Sequence, residues 1–145
     1  MKKIICLIVV ILMIAAVAYA AKKVAITPKN VASLKGTWTG TMSFGVFAGG
    51  SLSSPCTLEI LNDTVPVKAK LTLSNVPDEV VKQFGGGQAG ARTAESEDGT
   101  ITSSGTVLWT GEAKNFFEVT LQDNKKLAAW AYFRGMRCDG TLSKK

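Results

Sequence analysis

Apolar and polar residues change places one by one over much of the chain. Trp38, Gly40, Met42, Phe44 and Val46 alternate with Thr37, Thr39, Thr41, Ser43 and Gly45, the period of two that lets a strand bury one face and wet the other. A helix would scatter those aromatic rings around its circumference, and the threonines suit a pleated surface. A glycine- and serine-rich loop is expected over Ala48 to Pro55. Cys56, Leu58 and Ile60 then alternate with Thr57 and Glu59, and Val67, Ala69, Leu71 and Leu73 alternate with Lys68, Lys70 and Thr72. A tight turn at Asn62 and Asp63 joins these runs into a hairpin with Leu58 opposite Val67. Pro66 fits only near the start of its strand, where no ladder donor is needed.

A second hairpin is expected from Asn115–Gln122 and Leu127–Arg134 around the polar turn Asp123, Asn124, Lys125, Lys126. Pairing Gln122 with Leu127 places Val119 opposite Trp130 and Phe117 opposite Tyr132, with Leu121 beside Ala128. Phe117, Val119, Leu121, Trp130 and Tyr132 then face the interior, and Phe116 and Phe133 the outside. Gly99–Ser103 and Thr106–Glu112 read as two short strands around Ser104 and Gly105, with Val107 and Trp109 on one face. Gly140–Lys144 supplies the last strand.

Between the hairpins, Asn75–Asp98 is the least regular stretch. Pro77–Phe84 suits a short helix that Gly85, Gly86 and Gly87 would end. That triple glycine neither follows a strand nor opens a helix, so it reads as a mobile loop rather than a phosphate cradle. The sum is an all-β chain: a single antiparallel meander of seven or eight short strands, closed into a barrel, with a helix or loop insertion near 75–98.

The amino terminus follows a different rule. Lys2 and Lys3 precede an unbroken apolar run, Ile4 to Val17, and then Ala18, Tyr19, Ala20. Charge, apolar stretch and small-residue triplet are the parts of a secretory signal peptide, with cleavage expected after Ala20. A membrane anchor is the competing reading, because the run approaches the roughly 17 residues of the shortest spanning helix. Cys6 lies before the end of the apolar run, too early for a lipid-acceptor cysteine. Residues 21–33, which contain Pro28, read as an extended leader, and 34–145 as the barrel domain. The expected compartment is the periplasm or the exterior.

Removing twenty residues from 145 leaves 125, enough for one domain and too few for two. Without Lys2 and Lys3 the 17 bases become 15 against 11 acids, a net of +4. This mild charge is spread along the chain, with only Arg92, Arg134 and Arg137 as forked donors, so nucleic-acid binding has little support. Cys56 and Cys138 would reach an oxidising compartment, where a disulfide is the expected state. Closing a loop of about 80 residues would stabilise by about 4 kcal/mol. Two separate buried thiols are the alternative. With no histidine and no close cysteine pair, no metal site or cofactor is expected.

The run Leu34, Lys35, Gly36, Thr37, Trp38, Thr39, Gly40 resembles the Gly-x-Trp opening of lipocalin-like and avidin-like barrels. The resemblance implies that Trp38 closes one barrel end under an arginine from the last strands, for which Arg134 and Arg137 are the candidates. It covers about ten residues. The chain is short for a lipocalin, shows no second or third lipocalin motif, and lacks the polar biotin-binding side chains of avidins. It looks closer to small secreted bacterial barrels that carry no known activity across.

Function is expected to be non-catalytic. The missing histidine removes the commonest general base and the usual partner of a nucleophilic serine or cysteine. Glu95, Glu97 and Asp98 cluster in a polar segment with nothing apolar to raise a carboxyl pKa, and read as solvated charges. One expectation is a barrel that binds an apolar small molecule or lipid through Trp38, Met42, Phe44, Trp109, Phe117, Trp130 and Tyr132. The other is an envelope structural or protein-interaction module with a filled core, contacting its partner through Phe116, Phe133 and the Gly85–Gly90 loop.

Overall fold

The computed structural model describes residues 21–46, 50–83, 90–133 and 136–145. Nine strands, β1 (Lys23–Val24), β2 (Gly36–Val46), β3 (Gly50–Ile60), β4 (Val67–Val76), β5 (Gly90–Ile101), β6 (Val107–Thr110), β7 (Phe116–Gln122), β8 (Lys126–Phe133) and β9 (Met136–Lys144), are interrupted by one helix, α1 (Asp78–Gln83). From β2 to β9 each strand pairs antiparallel with the next, and β9 returns to pair with β2, from Trp38↔Lys144 to Phe44↔Cys138. The result is a closed eight-stranded antiparallel barrel, in which closure removes the sticky edges of an open sheet. β1 is an addition: Lys23 and Val24 pair with Gln122 and Leu121 of β7, beyond the point where β6 stops.

Alternation decides what fills the barrel. Trp38, Met42, Phe44, Cys56, Leu58, Val67, Val107, Val119, Leu127 and Leu142 are all buried, while the residues between them on each strand are more exposed. One end is sealed by the chain before β2. A 3-10 turn, Val31–Leu34, buries Val31 and Leu34, and Ile26 is buried beside them, its N–H donating to the Gly105 carbonyl at 2.9 Å. The indole N–H of Trp38 donates to the Leu34 carbonyl at 2.7 Å. Gly36 links the turn to β2 at φ 125°, a backbone region that side-chain-bearing residues avoid. Beyond β4, α1 contributes Val80 to the same core.

The strand boundaries and registers depart from the sequence reading in instructive ways. The segment expected as a loop, Ala48 to Pro55, is strand from Gly50 onward, and its inward residue Ser54 is fully buried, its hydroxyl bonded to the Ser74 carbonyl. The β3–β4 ladder ends at Cys56↔Leu73, next to Pro55, which has no N–H to extend it. In the first hairpin Leu58 pairs with Leu71 rather than Val67. The connection is longer than a two-residue turn. Asn62 organises it by accepting from Lys68 N–H at 2.8 Å and donating to the Pro66 carbonyl at 2.9 Å. A shift of four residues is even, so every side chain keeps its expected face.

The second hairpin slips by one. Its loop is Asp123–Asn124–Lys125, with Lys125 in the left-handed region at φ 60° and its N–H donating to the Gln122 carbonyl. This follows the three-residue hairpin pattern of a turn plus one left-handed residue. Phe117 therefore pairs with Ala131 and Val119 with Ala129, while Glu118 pairs with Trp130 and Phe116 with Tyr132. An odd slip exchanges faces: Leu127, Ala129 and Ala131 are buried, and Trp130 and Tyr132 stand outside. β5 is also longer than expected, a single strand through the polar segment from Gly90, and β9 begins at Met136.

The expected disulfide is not formed. Cys56 and Cys138 are free buried thiols on the two strands that flank β2, opposite Gly40 and Phe44 respectively. Two strand spacings are roughly 9.6 Å, beyond the reach of a disulfide even without the further offset along β2. Burial pushes both thiols up to about 12, with Asp139 and Cys56 adding to the effect at Cys138. Residues 1–20, where a signal peptide is expected, residues 47–49, the segment 84–89 with its triple glycine, residues 134 and 135 and the side chain of Phe133 lie outside the described residues.

Candidate site: a cavity behind a notch in the barrel wall

The barrel wall is incomplete between β5 and β6. β5 is laddered to β4 from Val76↔Gly90 to Val67↔Gly99, yet on its other side β6 meets it only at Thr100↔Leu108 and Ile101↔Val107. The ladder stops where Trp109 turns its indole across Gly99. A Cβ on Gly99 would lie 2.3 Å from Trp109 Nε1 and 2.5 Å from the Val67 oxygen, so only glycine leaves room. A bulge at Glu97–Asp98, where two residues of β5 oppose Lys68, shifts the register beside Val67. The Val67 carbonyl accepts the indole N–H at 2.7 Å.

Behind this notch lies a cavity of about 330 Å³. Leu58, Ala69 and Leu71 form its floor, Ala94 and Ser96 of β5 one wall, and Trp109 and Phe117 the other, with Thr110, Gly111, Asn115 and Phe116 at the lip. It is bordered by small inward side chains: Ala69 of β4 with Ser96 opposite it, and Ala94 of β5 opposite Leu71. Ala94 faces inward and is nevertheless exposed. The volume lies at the small end of ligand sites, which are typically about 300–1,000 Å³, apolar and edged by a few polar groups.

Charge stands at the rim, where Glu95 is among the residues lining the cavity. Lys70 pairs with Glu95 at 3.2 Å and Lys68 with Glu97 at 3.3 Å, both exposed cross-strand pairs, and Thr72 meets Thr93 at 3.3 Å. Such pairs contribute about 0–1 kcal/mol each. They fix the rim more than they stabilise the fold. Among the described residues no group of three histidine, cysteine or carboxylate side chains is placed to hold a metal ion. The arrangement can desolvate an apolar group and orient it against two aromatic rings.

The seven candidate interior residues separate into three groups. Trp109 and Phe117 line the cavity, their rings 5.7 Å apart. Trp38, Met42 and Phe44 are buried in packed core and are not among the cavity-lining residues. Trp130 and Tyr132 are on the outer wall, a correction that follows from the one-residue slip. Of the small inward residues that make the space, Ala69 lies on the expected apolar face, whereas Ala94 and Ser96 were not expected to face inward. Their only signal is negative, a strand position without bulk.

Arg137 does not cover Trp38. Its guanidinium lies 5.2 Å from the centre of the Trp130 ring on the outer wall and pairs with Asp139 at 3.2 Å. Lys144 takes the expected arginine's place, with its ammonium 5.4 Å from the Trp38 ring centre and donating to the Ser33 carbonyl at 2.8 Å. On the outer wall, Phe116 meets Trp130 edge-on at 4.4 Å and stacks on Tyr132 at 6.0 Å. Glu118 accepts from the Trp130 indole N–H with one oxygen and from the Thr106 hydroxyl with the other. Phe116 belongs both to this cluster and to the cavity lip. Comparison of the chain with protein families, curated proteins and solved structures gives no match in any of the three.

Proposed function

We propose that the protein is an exported, non-catalytic, lipocalin-like barrel that binds a small apolar molecule or lipid portion through the notch. The observation that carries this reading is the apolar cavity of about 330 Å³ between Leu58, Leu71, Trp109 and Phe117. The secretory pattern of residues 1–20 motivates the periplasmic or extracellular location, and the Gly36–Trp38 opening motivates the likeness to lipocalins. An apolar group that gives up about 200 Å² of surface gains roughly 5 kcal/mol. That corresponds to a Kd near 0.2 mM before the costs of association. A ligand held more tightly needs contacts beyond the cavity, along the lip at Phe116.

Native mass spectrometry of the purified protein, followed by solvent extraction, tests the reading. Retained apolar molecules that disappear in an Ala94→Trp variant support it. A clean apo mass, with no change in tryptophan fluorescence across a lipid panel, rejects it.

A second reading, an envelope interaction module, draws on the outer cluster. Tyr132 is 37% exposed and stacks on Phe116 beside Trp130. Crosslinking in cells separates the two: partner bands lost with Tyr132→Ala but kept with Ala94→Trp favour the outer wall over the cavity.

A further inference from the structure

The fold gathers charge that the sequence spreads. In the antiparallel barrel β2, β4, β6 and β8 start, and β3, β5, β7 and β9 finish, at one end, the end closed by residues 22–35. That closing segment touches each connection around the rim. Asp123 of the β7–β8 turn accepts from Lys22 N–H at 3.1 Å, the Gly105 carbonyl accepts from Ile26 N–H, Lys144 reaches Ser33, and Lys35 pairs with Asp63 of the β3–β4 connection at 3.8 Å. Lys35 and Lys144 are thus engaged. Lys22, Lys23, Lys29, Lys125 and Lys126 are exposed and make no side-chain hydrogen bond or ion pair among the described residues. The carboxylates nearby are Asp63 and Asp123, with Glu59 one residue inside the rim opposite Lys70. At the other end the charges are balanced, Asp78, Glu79 and Glu112 standing with Lys82, Lys114 and Arg92.

The lysine-rich end also presents apolar side chains to solvent. Leu61 is 55% exposed and Val65 45%, the highest values for large apolar side chains among the described residues, and both belong to the β3–β4 connection. Asn62 holds that connection in shape through Lys68 N–H and the Pro66 carbonyl. The β7–β8 turn lies halfway around the closed strand order from it. A partner that meets both must be as broad as the barrel. It must also be anionic, with an apolar layer beneath its charge. Four residues separate Lys22 from the apolar run Ile4–Val17. At up to about 3.6 Å per residue, that run cannot enter a bilayer without bringing this end within roughly 18 Å of it.

We infer that the lysine-rich closed end docks on the surface of an anionic lipid bilayer, its lysines on headgroup phosphates and Leu61 and Val65 in the interfacial layer. None of these residues lines the cavity, so this contact stands apart from the cavity's own ligand.

Amide hydrogen exchange tests the inference on protein isolated from cells that express the full chain, because it reads contact at this end separately from attachment through residues 4–17. Vesicles of phosphatidylcholine with phosphatidylglycerol should slow the amides of Asn62–Val65 and Asn124, and phosphatidylcholine alone should not. Titrated by this signal, Lys23→Gln, Lys29→Gln and Lys126→Gln together weaken binding about a hundredfold, at about fivefold per lysine. The same change at Lys68, Lys70 and Lys82 shifts it by no more than about threefold. Leu61→Ser with Val65→Ser weakens it about tenfold. Unchanged exchange in the β2–β9 ladder verifies that each variant is folded. No slowing, equal slowing by both kinds of vesicle, or equal loss from the two lysine sets overturns the inference. Equal protection by soluble polyphosphate, with no effect of the serine pair, also overturns it and assigns this end to a soluble polyanion.

Discussion

The indole nitrogen of Trp109 reaches across the barrel wall to the carbonyl oxygen of Val67, 2.7 Å away, passing over Gly99. One bond thus does two jobs. It satisfies a carbonyl beside the β5 bulge, and it holds an aromatic ring at the point where β5 and β6 part.

Replacing Gly99 with valine forces Trp109 out of that position. The expected loss is about 1–3 kcal/mol, typical of overpacking, and urea denaturation measures it. Trp109→Phe keeps most of the ring but leaves the Val67 carbonyl without its donor, at a cost of about 1–3 kcal/mol. In the double variant the two losses fall short of additive, because both act through the same contact.

Lys144 secures the sealed end. Lys144→Ala removes a bond to the Ser33 carbonyl and a cation beside Trp38, and should cost about 1 kcal/mol. Lys144→Arg retains a cation there. Thermal unfolding that ranks alanine below arginine, and arginine near the natural protein, would support this role, whereas equal melting of all three would assign the seal to Trp38 and Leu34 alone.

The thiols of Cys56 and Cys138 give a chemical test of the register around β2. Both are buried, with pKa pushed up to about 12 from an ordinary 9.0, so the folded state holds their protons more tightly than the unfolded chain. Their contribution to stability is therefore complete below pH 9 and is lost as pH rises towards 12. In the folded protein at pH 8 a thiol reagent should titrate neither; in guanidinium it should titrate both. Two thiols missing after denaturation without reductant would mean that a disulfide joins them.

Outer and inner aromatic residues should differ sharply. Tyr132→Ala on the outer wall is expected to change stability by less than about 1 kcal/mol, and Phe117→Ala in the core by about 3–5 kcal/mol. The reverse order would restore the register that puts Tyr132 inside.

How much of this was legible depended on the parity of each slip. For β3 and β4 the alternation around Leu58 and Leu71 identifies the buried face whatever the loop length, because a four-residue error returns to the same side. For β7 and β8 the decision turned on Lys125 adopting a left-handed backbone, which its side chain does not advertise. The greater bulk of Trp130 and Tyr132 also points the wrong way. With Phe117 and Val119 facing inward from β7, the barrel takes Ala129 and Ala131 from β8. The cavity was the least legible part. Its β5 wall reads Ala94, Glu95, Ser96, which shows no apolar periodicity.

The pairing of β2 with β9 joins Trp38 to Lys144, more than a hundred positions along the chain. Every other seam of the barrel connects neighbours, and this one waits for β9. Loop closure across such a span is slow, and until it happens β2 and β8 each keep one unpaired edge. A chain shortened by its last nine residues would therefore retain hairpins without enclosing a centre. Enclosure of the core therefore hangs on β9, the strand that joins the two distant ends of the ladder.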